Sequence, residues 1–395
     1  MLDNPMNFPS VKLHNAPLVL AFMAACGRPS ARPVGSAARA DATVATPSAN
    51  AAASSERRDL PRTEQTATGK APASVTTQLV VEPISLPGAS GPVSLDFLFY
   101  EPQASRVWVP AGGTGSVDVF EIAKHAFTRV EGFKTVERES HGKKRVVGPS
   151  SGAIGNGFAY VGSRATSEVC AVELQTLKLG SCLTLKGAPD GVEYVPSARE
   201  VWVTAPSMSA IFVLDALPKG VLKEKAIIKL DGEPECYALD DKRGLFLTNL
   251  EDKGTTLSID LKTHSVKDTW SPACSADGPR GVAVDSARGL VLVACTDHVQ
   301  AIDSAHGGAL LGKLDTGAGL DNIDYNPSTG LVYAAAGKAA RLTVAHLGDH
   351  GEFTVVASGE TAAGARNAVA DANGTVYVAD PQGAHLLVLR APSPH

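Results

Sequence analysis

Short apolar runs recur along most of the chain, and each is bounded by turns that contain Gly, Pro, Asp, Asn or Ser. The stretch RGLFLTNLEDKGTTLSIDLKTHSVKDTW, at 243–270, contains three such runs. Runs of this length, separated by turn residues, predict short β-strands. No segment sustains the i, i+3, i+4, i+7 apolar spacing of an amphipathic helix. The same pattern recurs as RVWVP at 106–110, FAYVG at 158–162, EVWVT at 200–204, LVLVAC at 290–295, LVYAAA at 331–336 and TVYVAD at 375–380.

The runs form a repeat with a period of 40–45 residues after a longer first step. The polar residues that enter the first strand of each unit are Asp96, Ser150, Asp190, Glu235, Arg280, Asp321 and Arg366. A repeat of this length with about four strands per unit is typical of β-propeller blades. We therefore predict an all-β, seven-bladed β-propeller over 79–395. The longer first step predicts an exposed loop at about 131–145, and GGTGS at 112–116 is expected to be a hairpin loop.

The last repeat ends after its third strand, HLLVLRA. The segment QLVVEPISLP, at 78–87, can supply the missing fourth strand. Closing the ring with strands from both ends of the chain would remove an open sheet edge.

The N-terminal region predicts export. Residues 16–25 form an apolar run that is too short to span a bilayer but suits a signal peptide. The end of this run, Met-Ala-Ala-Cys, resembles a lipobox, which predicts lipidation of Cys26; ordinary secretory cleavage near Ala25 is the alternative. Residues 27–78 are rich in Ala, Ser, Thr and Pro without apolar periodicity, and predict a disordered linker. The expected location is the cell envelope, as a lipoprotein or a periplasmic or secreted protein, and the lipid anchor would be the only membrane contact.

Charge and motifs limit the classes of function. The 395 residues carry a formal net charge of -5 and no basic stripe, which argues against nucleic-acid binding. No haem-attachment motif, nucleophile elbow or P-loop is present. The sequence therefore predicts no catalytic residue and no cofactor, and a cofactor-bearing redox propeller is disfavoured.

The fourth repeat, GLFLTNLEDKGTTLSIDLKTHSVKDTW, resembles the blades of the YVTN-repeat (YncE-like) β-propeller family. Its LFLTN strand takes the place of the YVTN-type strand, and TLSID takes the place of the V-x-V-I-D strand. The resemblance covers the propeller region and implies the fold. It does not imply one activity, because the family and its relatives include binding proteins, redox domains and members without a known role.

The first strand of each blade lines the central channel of a propeller, so the polar entry residues are expected to ring one mouth of the channel. Small and polar residues at the next position predict an open channel. Simple pairing of Glu235, Arg280, Asp321 and Arg366 around the ring is the alternative to ligand binding. The candidate ligand-binding residues are Asp96, Asp190, Glu235, Arg280, Asp321, Asn322, Arg366 and Asn367.

A metal-dependent, lactonase-like hydrolase is the enzymatic alternative. Glu235, Asp321, Asn322 and Asn367 are oxygen ligands of the kind that Ca²⁺ prefers, and Zn²⁺ is the other candidate ion. The function that we predict is binding: the propeller would be a monomeric scaffold that takes an envelope protein, a peptide or a glycan through its loops and its polar channel mouth.

Five cysteines follow Cys26. Cys170 and Cys182 flank a turn and are expected to face each other across two strands, which predicts a disulfide. Among the other three we favour a Cys236–Cys274 pair, which would leave Cys295 as a thiol.

Overall fold

The computed structural model describes residues 76–140, 143–274 and 278–392. The predicted signal peptide, Cys26 and nearly all of the predicted linker lie outside these residues. No helix in the described ranges is long and apolar enough to cross a membrane. Short 3₁₀ helices occupy Ile122–Lys124, Pro206–Met208, Pro218–Gly220 and Glu251–Lys253.

The described chain is built almost entirely from short β-strands. In chain order they are β1 (Thr77–Gln78), β2 (Val80–Ser85), β3 (Phe99–Glu101), β4 (Arg106–Ala111), β5 (Ser116–Glu121), β6 (Ala126–Val130), β7 (Val136–Ser140), β8 (Lys143–Val147), β9 (Pro149–Gly155), β10 (Phe158–Ser163), β11 (Glu168–Glu173), β12 (Leu179–Thr184), β13 (Val192–Val195), β14 (Glu200–Ala205), β15 (Ala210–Ala216), β16 (Leu222–Lys229), β17 (Pro234–Asp240), β18 (Leu245–Leu250), β19 (Thr255–Asp260), β20 (Ser265–Trp270), β21 (Val282–Asp285), β22 (Leu290–Ala294), β23 (His298–Asp303), β24 (Ala309–Asp315), β25 (Leu320–Asn326), β26 (Leu331–Ala336), β27 (Arg341–Leu347), β28 (Phe353–Glu360), β29 (Ala368–Ala370), β30 (Val376–Asp380) and β31 (His385–Arg390).

These strands form the seven predicted blades, each an antiparallel four-stranded meander. Blades 1 to 6 are β3–β6, β9–β12, β13–β16, β17–β20, β21–β24 and β25–β28, and blade 7 is β29–β31 with β2. The first strand of each blade contacts the first strand of the next, and β29 contacts β3, which closes the ring around a central channel.

The N-terminal strands seal the ring, as predicted. Strand β2 pairs antiparallel with β31, with Val80 opposite Arg390 and Ser85 opposite His385. Strand β1 adds a parallel fifth strand to the outer edge of blade 6. The described chain therefore begins at the circumference of the propeller.

The insertion between blades 1 and 2 is more ordered than the predicted loop. Strands β7 and β8 form an antiparallel hairpin, with Arg138 opposite Arg145. The two strands consist mostly of charged residues, and Val136 and Val146 are both 39% exposed, so the hairpin has no buried apolar face. Apolar periodicity therefore does not detect this hairpin.

The core lies between neighbouring blades. Trp108 of blade 1 and Trp202 of blade 3 are fully buried, and Trp202 packs against Phe246 of blade 4 with the ring centroids 5.1 Å apart. Both indole N–H groups donate to buried carboxylates, from Trp108 to Glu101 (2.9 Å) and from Trp202 to a glutamate of its own strand (2.8 Å). These bonds satisfy polar groups that would be costly to bury alone.

The Thr-Asn pair of the fourth blade holds strands together. The Thr248 hydroxyl donates to the carbonyl oxygen of Cys236 on the first strand of its blade, at 3.0 Å. The Asn249 amide donates to the carbonyl oxygens of Arg280 (2.5 Å) and Gly281 (3.0 Å), so it ties blade 4 to blade 5. The motif that carries the family resemblance thus has a structural role in the ring.

Two disulfides are present. Cys170 and Cys182 lie opposite each other on β11 and β12 and are bonded. The expected Cys236–Cys274 pair is wrong, because Cys274 is bonded to Cys295. Cys274 precedes the first strand of blade 5 and Cys295 follows the second, so both lie at one end of the same blade, whereas Cys236 is a buried thiol in blade 4.

Candidate ligand site at the channel entry

The entry mouth is the end of the channel at which the first strands begin, and the seven predicted entry residues define it. Each precedes or begins the first strand of its blade. The second strands run antiparallel to the first, so they end at this same mouth. Side chains from the turns that follow the second strands therefore reach the entry residues.

Arg164 is the central cation of the entry mouth. It follows β10, and its guanidinium bridges Asp96 of blade 1 (Nη1 to Oδ2, 2.5 Å) and Asp190 of blade 3. The carbonyl oxygen of Arg164 accepts from Arg138 of the β7–β8 hairpin at 2.9 Å. Arg164 is not among the predicted entry residues, because it follows a second strand and does not enter a first strand.

A second charge cluster joins blades 6, 7 and 1. The Arg366 guanidinium lies 3.2 Å from Asp321 and 4.0 Å from Asp96. The Asn367 amide donates to Asp96 at 3.3 Å. Asp96 thus contacts groups from two other blades, blade 2 and blade 7.

These contacts set the ionisation of the buried carboxyls. Burial raises the pKa of Asp96, but Arg164 and Arg366 outweigh burial and hold that pKa below its ordinary value. Burial raises the pKa of Asp190, and the nearby Asp96 charge adds to the increase. The two aspartates therefore compete for Arg164, and Asp96 is the more strongly stabilised as an anion.

The other predicted site residues lie apart from this cluster. Arg280 pairs with Glu251, which follows β18, at 2.8 Å. Glu235, in blade 4, is 1% exposed. The Asn322 side chain accepts the N–H of its neighbour Ile323 at 2.9 Å and lines the channel beyond the mouth.

The channel is narrowed just below the entry mouth, contrary to the predicted open channel. Phe97 of blade 1 meets Tyr237 of blade 4 across the channel, with the ring centroids 5.7 Å apart. A Cβ atom at Gly191 would lie 2.2 Å from the Tyr237 ring, so this glycine makes room for the crossing side chain. The contact was not predicted, because the predicted channel lining took only the residue after each entry residue. In blade 4 that residue is Cys236, and Tyr237 lies one residue further along the strand.

Two spaces lie on either side of this contact. The interior cavity, of about 810 Å³, is lined by the first strands and opens toward the far face at the turns that contain Gln103 and Ser328. The entry groove, of about 740 Å³, lies between the segment 88–95, the β7–β8 hairpin and blade 7, and its lining includes Arg145, Arg366 and Gln382.

The predicted metal ligands make contacts within the protein. Asp321 pairs with Arg366, Asn367 donates to Asp96, and Asn322 accepts a backbone N–H. Within the described ranges, the one group of three His, Cys, Asp or Glu side chains close enough to hold an ion is Glu168, Cys170 and Cys182, and these cysteines are disulfide-bonded.

Comparison with known proteins identifies the fold alone. No protein-family model and no curated protein matches this chain. A chain of Kuenenia stuttgartiensis hydrazine synthase superposes with a TM-score of 0.63 at 16% identity, covering 78% of this chain and 99% of that one. Streptogramin B lyase superposes with a TM-score of 0.59 at 11% identity, covering 80% of this chain and 98% of that one. The β-propeller domain of Cps50 (Swd1) from Myceliophteria thermophila superposes with a TM-score of 0.60 at 10% identity, covering 79% of this chain and 99% of that one. The chain is a seven-bladed β-propeller, and this fold does not by itself define a function.

Proposed function

We propose that this protein is an exported binding scaffold of the YVTN-repeat (YncE-like) type that takes a protein, peptide or glycan partner of the cell envelope at its entry mouth. The anchor is a lipid on Cys26, or the protein is secreted after cleavage near that position. The scaffold acts as a monomer, needs no metal or cofactor and does not bind nucleic acid.

One observation carries this proposal. Several buried polar atoms at the entry mouth have no hydrogen-bond partner among the described residues, namely Ser150 Oγ, Ser151 Oγ, Asp190 Oδ2 and Asn367 Oδ1. Leaving a buried polar group unsatisfied costs about 1–3 kcal/mol, so such groups normally bond to water or to a ligand. These atoms are not accessible from the surface, so a partner would bind in the adjoining entry groove and reach them only through water.

The architecture supports the same surface. The described chain begins at the outer edges of blades 6 and 7, away from the channel. An N-terminal anchor would therefore join the described propeller at its circumference and not at the mouth. The blades hold the mouth residues on paired strands, so little conformational entropy is lost when a partner binds.

The metal-dependent alternative receives less support. A cation at Asp321 would compete with the Arg366 guanidinium, which lies 3.2 Å away. Asn367 donates from its amide toward Asp96, and that carboxylate is already shared by two arginines. Metal-assisted hydrolysis thus remains a sequence-based hypothesis.

Site-specific photo-crosslinking in the native envelope tests the proposal. A benzophenone side chain replaces Gln382, which lines the entry groove, or Ser328, which lines the far opening. Both residues are exposed on turns, so neither substitution should disturb the blades. We expect a discrete adduct from position 382 that is lost when Asp190→Asn is added.

The position 328 protein is the matched control for nonspecific capture. Equal adducts from both faces, or an adduct from position 328 alone, would reject the entry mouth as the binding surface.

A further inference from the structure

The exposed charges of the entry groove are mainly positive, although the mouth behind them is rich in carboxylates. Asp96, Asp190 and Asp321 are 9%, 5% and 4% exposed, so their charges lie below the surface. Arg145 is exposed at the rim, and the Arg366 side chain keeps 31% of its surface accessible. Lys144 also faces the groove but pairs with Glu137 at 2.9 Å.

Arg145 differs from the other arginines of the mouth. No ion pair to it occurs among the described residues, whereas Arg164 bridges two aspartates and Arg366 pairs with Asp321. Its guanidinium lies within electrostatic range of both of those arginines, and of Asp96. Partial desolvation lowers the pKa of Arg145, the charges on Arg164 and Arg366 lower it further, and the Asp96 carboxylate opposes these effects. The hairpin thus holds Arg145 near two like charges and one carboxylate, without an ion pair of its own among the described residues.

We propose that the entry groove is an anion site, in which Arg145 and Arg366 bind a carboxylate or phosphate group of the ligand. The inference rests on the proposed function, because it specifies the chemistry recognised at the same mouth. Planar guanidinium groups match carboxylate and phosphate oxygens with paired N–H donors. An anion between these side chains would also relieve the repulsion that Arg145 experiences.

The rest of the groove fits a polar ligand. Its lining includes Gly88, Gly91 and Gly113, together with Ser90 and Ser94. Glycines allow a ligand to approach the backbone closely, and hydroxyl groups can donate to further anion oxygens. The hairpin that carries Arg145 is tied to the mouth by the Arg138 bond to the Arg164 carbonyl, so the cation is held in place.

Calorimetric titration of the full chain at low ionic strength tests this site. Inorganic phosphate and glucuronate are titrated separately, so that the two anion chemistries are distinguished. Arg145→Ala should weaken binding of the recognised anion at least about tenfold, because the variant loses a charge-assisted hydrogen bond to the anion. Added salt should weaken wild-type binding, because the cations are partly exposed.

Arg199→Ala is the matched control, since Arg199 is exposed on a turn at the opposite face. Binding of phosphate alone, glucuronate alone or both supports the site and defines its selectivity. Binding of neither anion by the wild type, or equal binding by wild type and Arg145→Ala, overturns the inference.

The crosslinking experiment separates this inference from the function on which it rests. An adduct from position 382 that persists unchanged in Arg145→Ala, without anion binding, rejects the anion site and retains the entry mouth. Anion binding without an adduct from position 382 rejects the proposed partner instead.

Discussion

The pKa of Asp96, at the entry mouth, and the pKa values of the acids in the interior cavity are shifted in opposite directions. At the entry mouth, Asp96 lies beside Arg164 and Arg366, and its pKa is lowered despite burial. In the interior cavity, the described lining includes Glu193 and Asp324 but no Lys, Arg or His. Burial raises the pKa of Glu193 to about 7, and it raises that of Asp324 above its ordinary value. Burial acts the same way on both sides, so the guanidinium groups decide the difference.

This difference separates two uses of charge. The entry mouth keeps ionised groups, whose contacts join neighbouring blades. In the interior cavity burial raises the pKa of both acids, because only backbone N–H groups oppose it. Tyr194 donates to Glu193 (2.9 Å), and Tyr325 and Ala370 donate to Asp324 (2.9 and 2.8 Å). The following substitutions test whether the arginines cause the contrast.

Arg164→Met should have the largest effect. It leaves Asp96 and Asp190 buried without the cation they share, and removing one partner from a buried ion pair costs about 3–5 kcal/mol. We expect this loss in the free energy of unfolding at pH 8, measured by urea denaturation. The loss should shrink at pH 5, because the aspartates would then take up protons as the interior acids do.

Arg199→Met provides the control for loss of an exposed arginine. A loss below about 1 kcal/mol for Arg164→Met, comparable to that of a surface ion pair, would show that Arg164 does not stabilise the mouth.

Glu193→Gln should have a smaller effect of the opposite sign. The folded-state pKa of Glu193 is raised from 4.5 to about 7, so the folded protein keeps a proton that the unfolded chain loses between these values. The contribution of this group to stability therefore falls as pH rises from about 4.5 to 7 and is constant above 7. Gln cannot ionise and can still accept the Tyr194 N–H, so the variant should be more stable than wild type at pH 8 by at most about 3 kcal/mol.

The stability gain from Glu193→Gln should disappear near pH 4.5. Glu224→Gln, at an exposed position on β16, is the control. Burial also raises the pKa of Asp118, to about 6, so Asp118 makes the free energy of unfolding fall with pH in the same direction. The pH dependence of stability should therefore be smaller in Glu193→Gln than in wild type, but not absent. An unchanged profile would mean that Glu193 is ionised in the channel and that the contrast with the mouth is smaller.

The fold followed from the sequence because each blade repeats the same local signals. Apolar runs and turn residues located the blades, and the spare segment at 78–87 located the closing strand β2. The β7–β8 hairpin was missed because charged strands with exposed valines lack that pattern. The Cys274–Cys295 bond was missed because sequence spacing does not show which loop ends meet.

The site was predicted in part. The entry residues followed from blade register, and Asp96, Asp190, Asp321 and Arg366 meet through charge contacts. Their main partner, Arg164, belongs to a turn after a second strand. Aligning those turns, which contain Arg164 in blade 2 and Glu251 in blade 4, would have shown that charges also reach the mouth from this position.

Ser151→Ala should have the smallest effect and tests whether the mouth is occupied. The Ser151 hydroxyl is fully buried and has no partner in the part of the chain that the structure describes, so removing it should raise the free energy of unfolding by about 1 kcal/mol or less. Ser116→Ala is the matched control, because the buried Ser116 hydroxyl donates to Asp118 (2.9 Å) and accepts from Arg129 (3.0 Å). The control should lose about 1.5–3 kcal/mol, since both of its bonds involve charged groups. If Ser151→Ala loses as much stability as the control, the Ser151 hydroxyl bonds to a water or a ligand in the folded protein. The buried polar groups of the entry mouth would then be satisfied by bound molecules, whereas Glu193 in the interior cavity is neutralised by a proton.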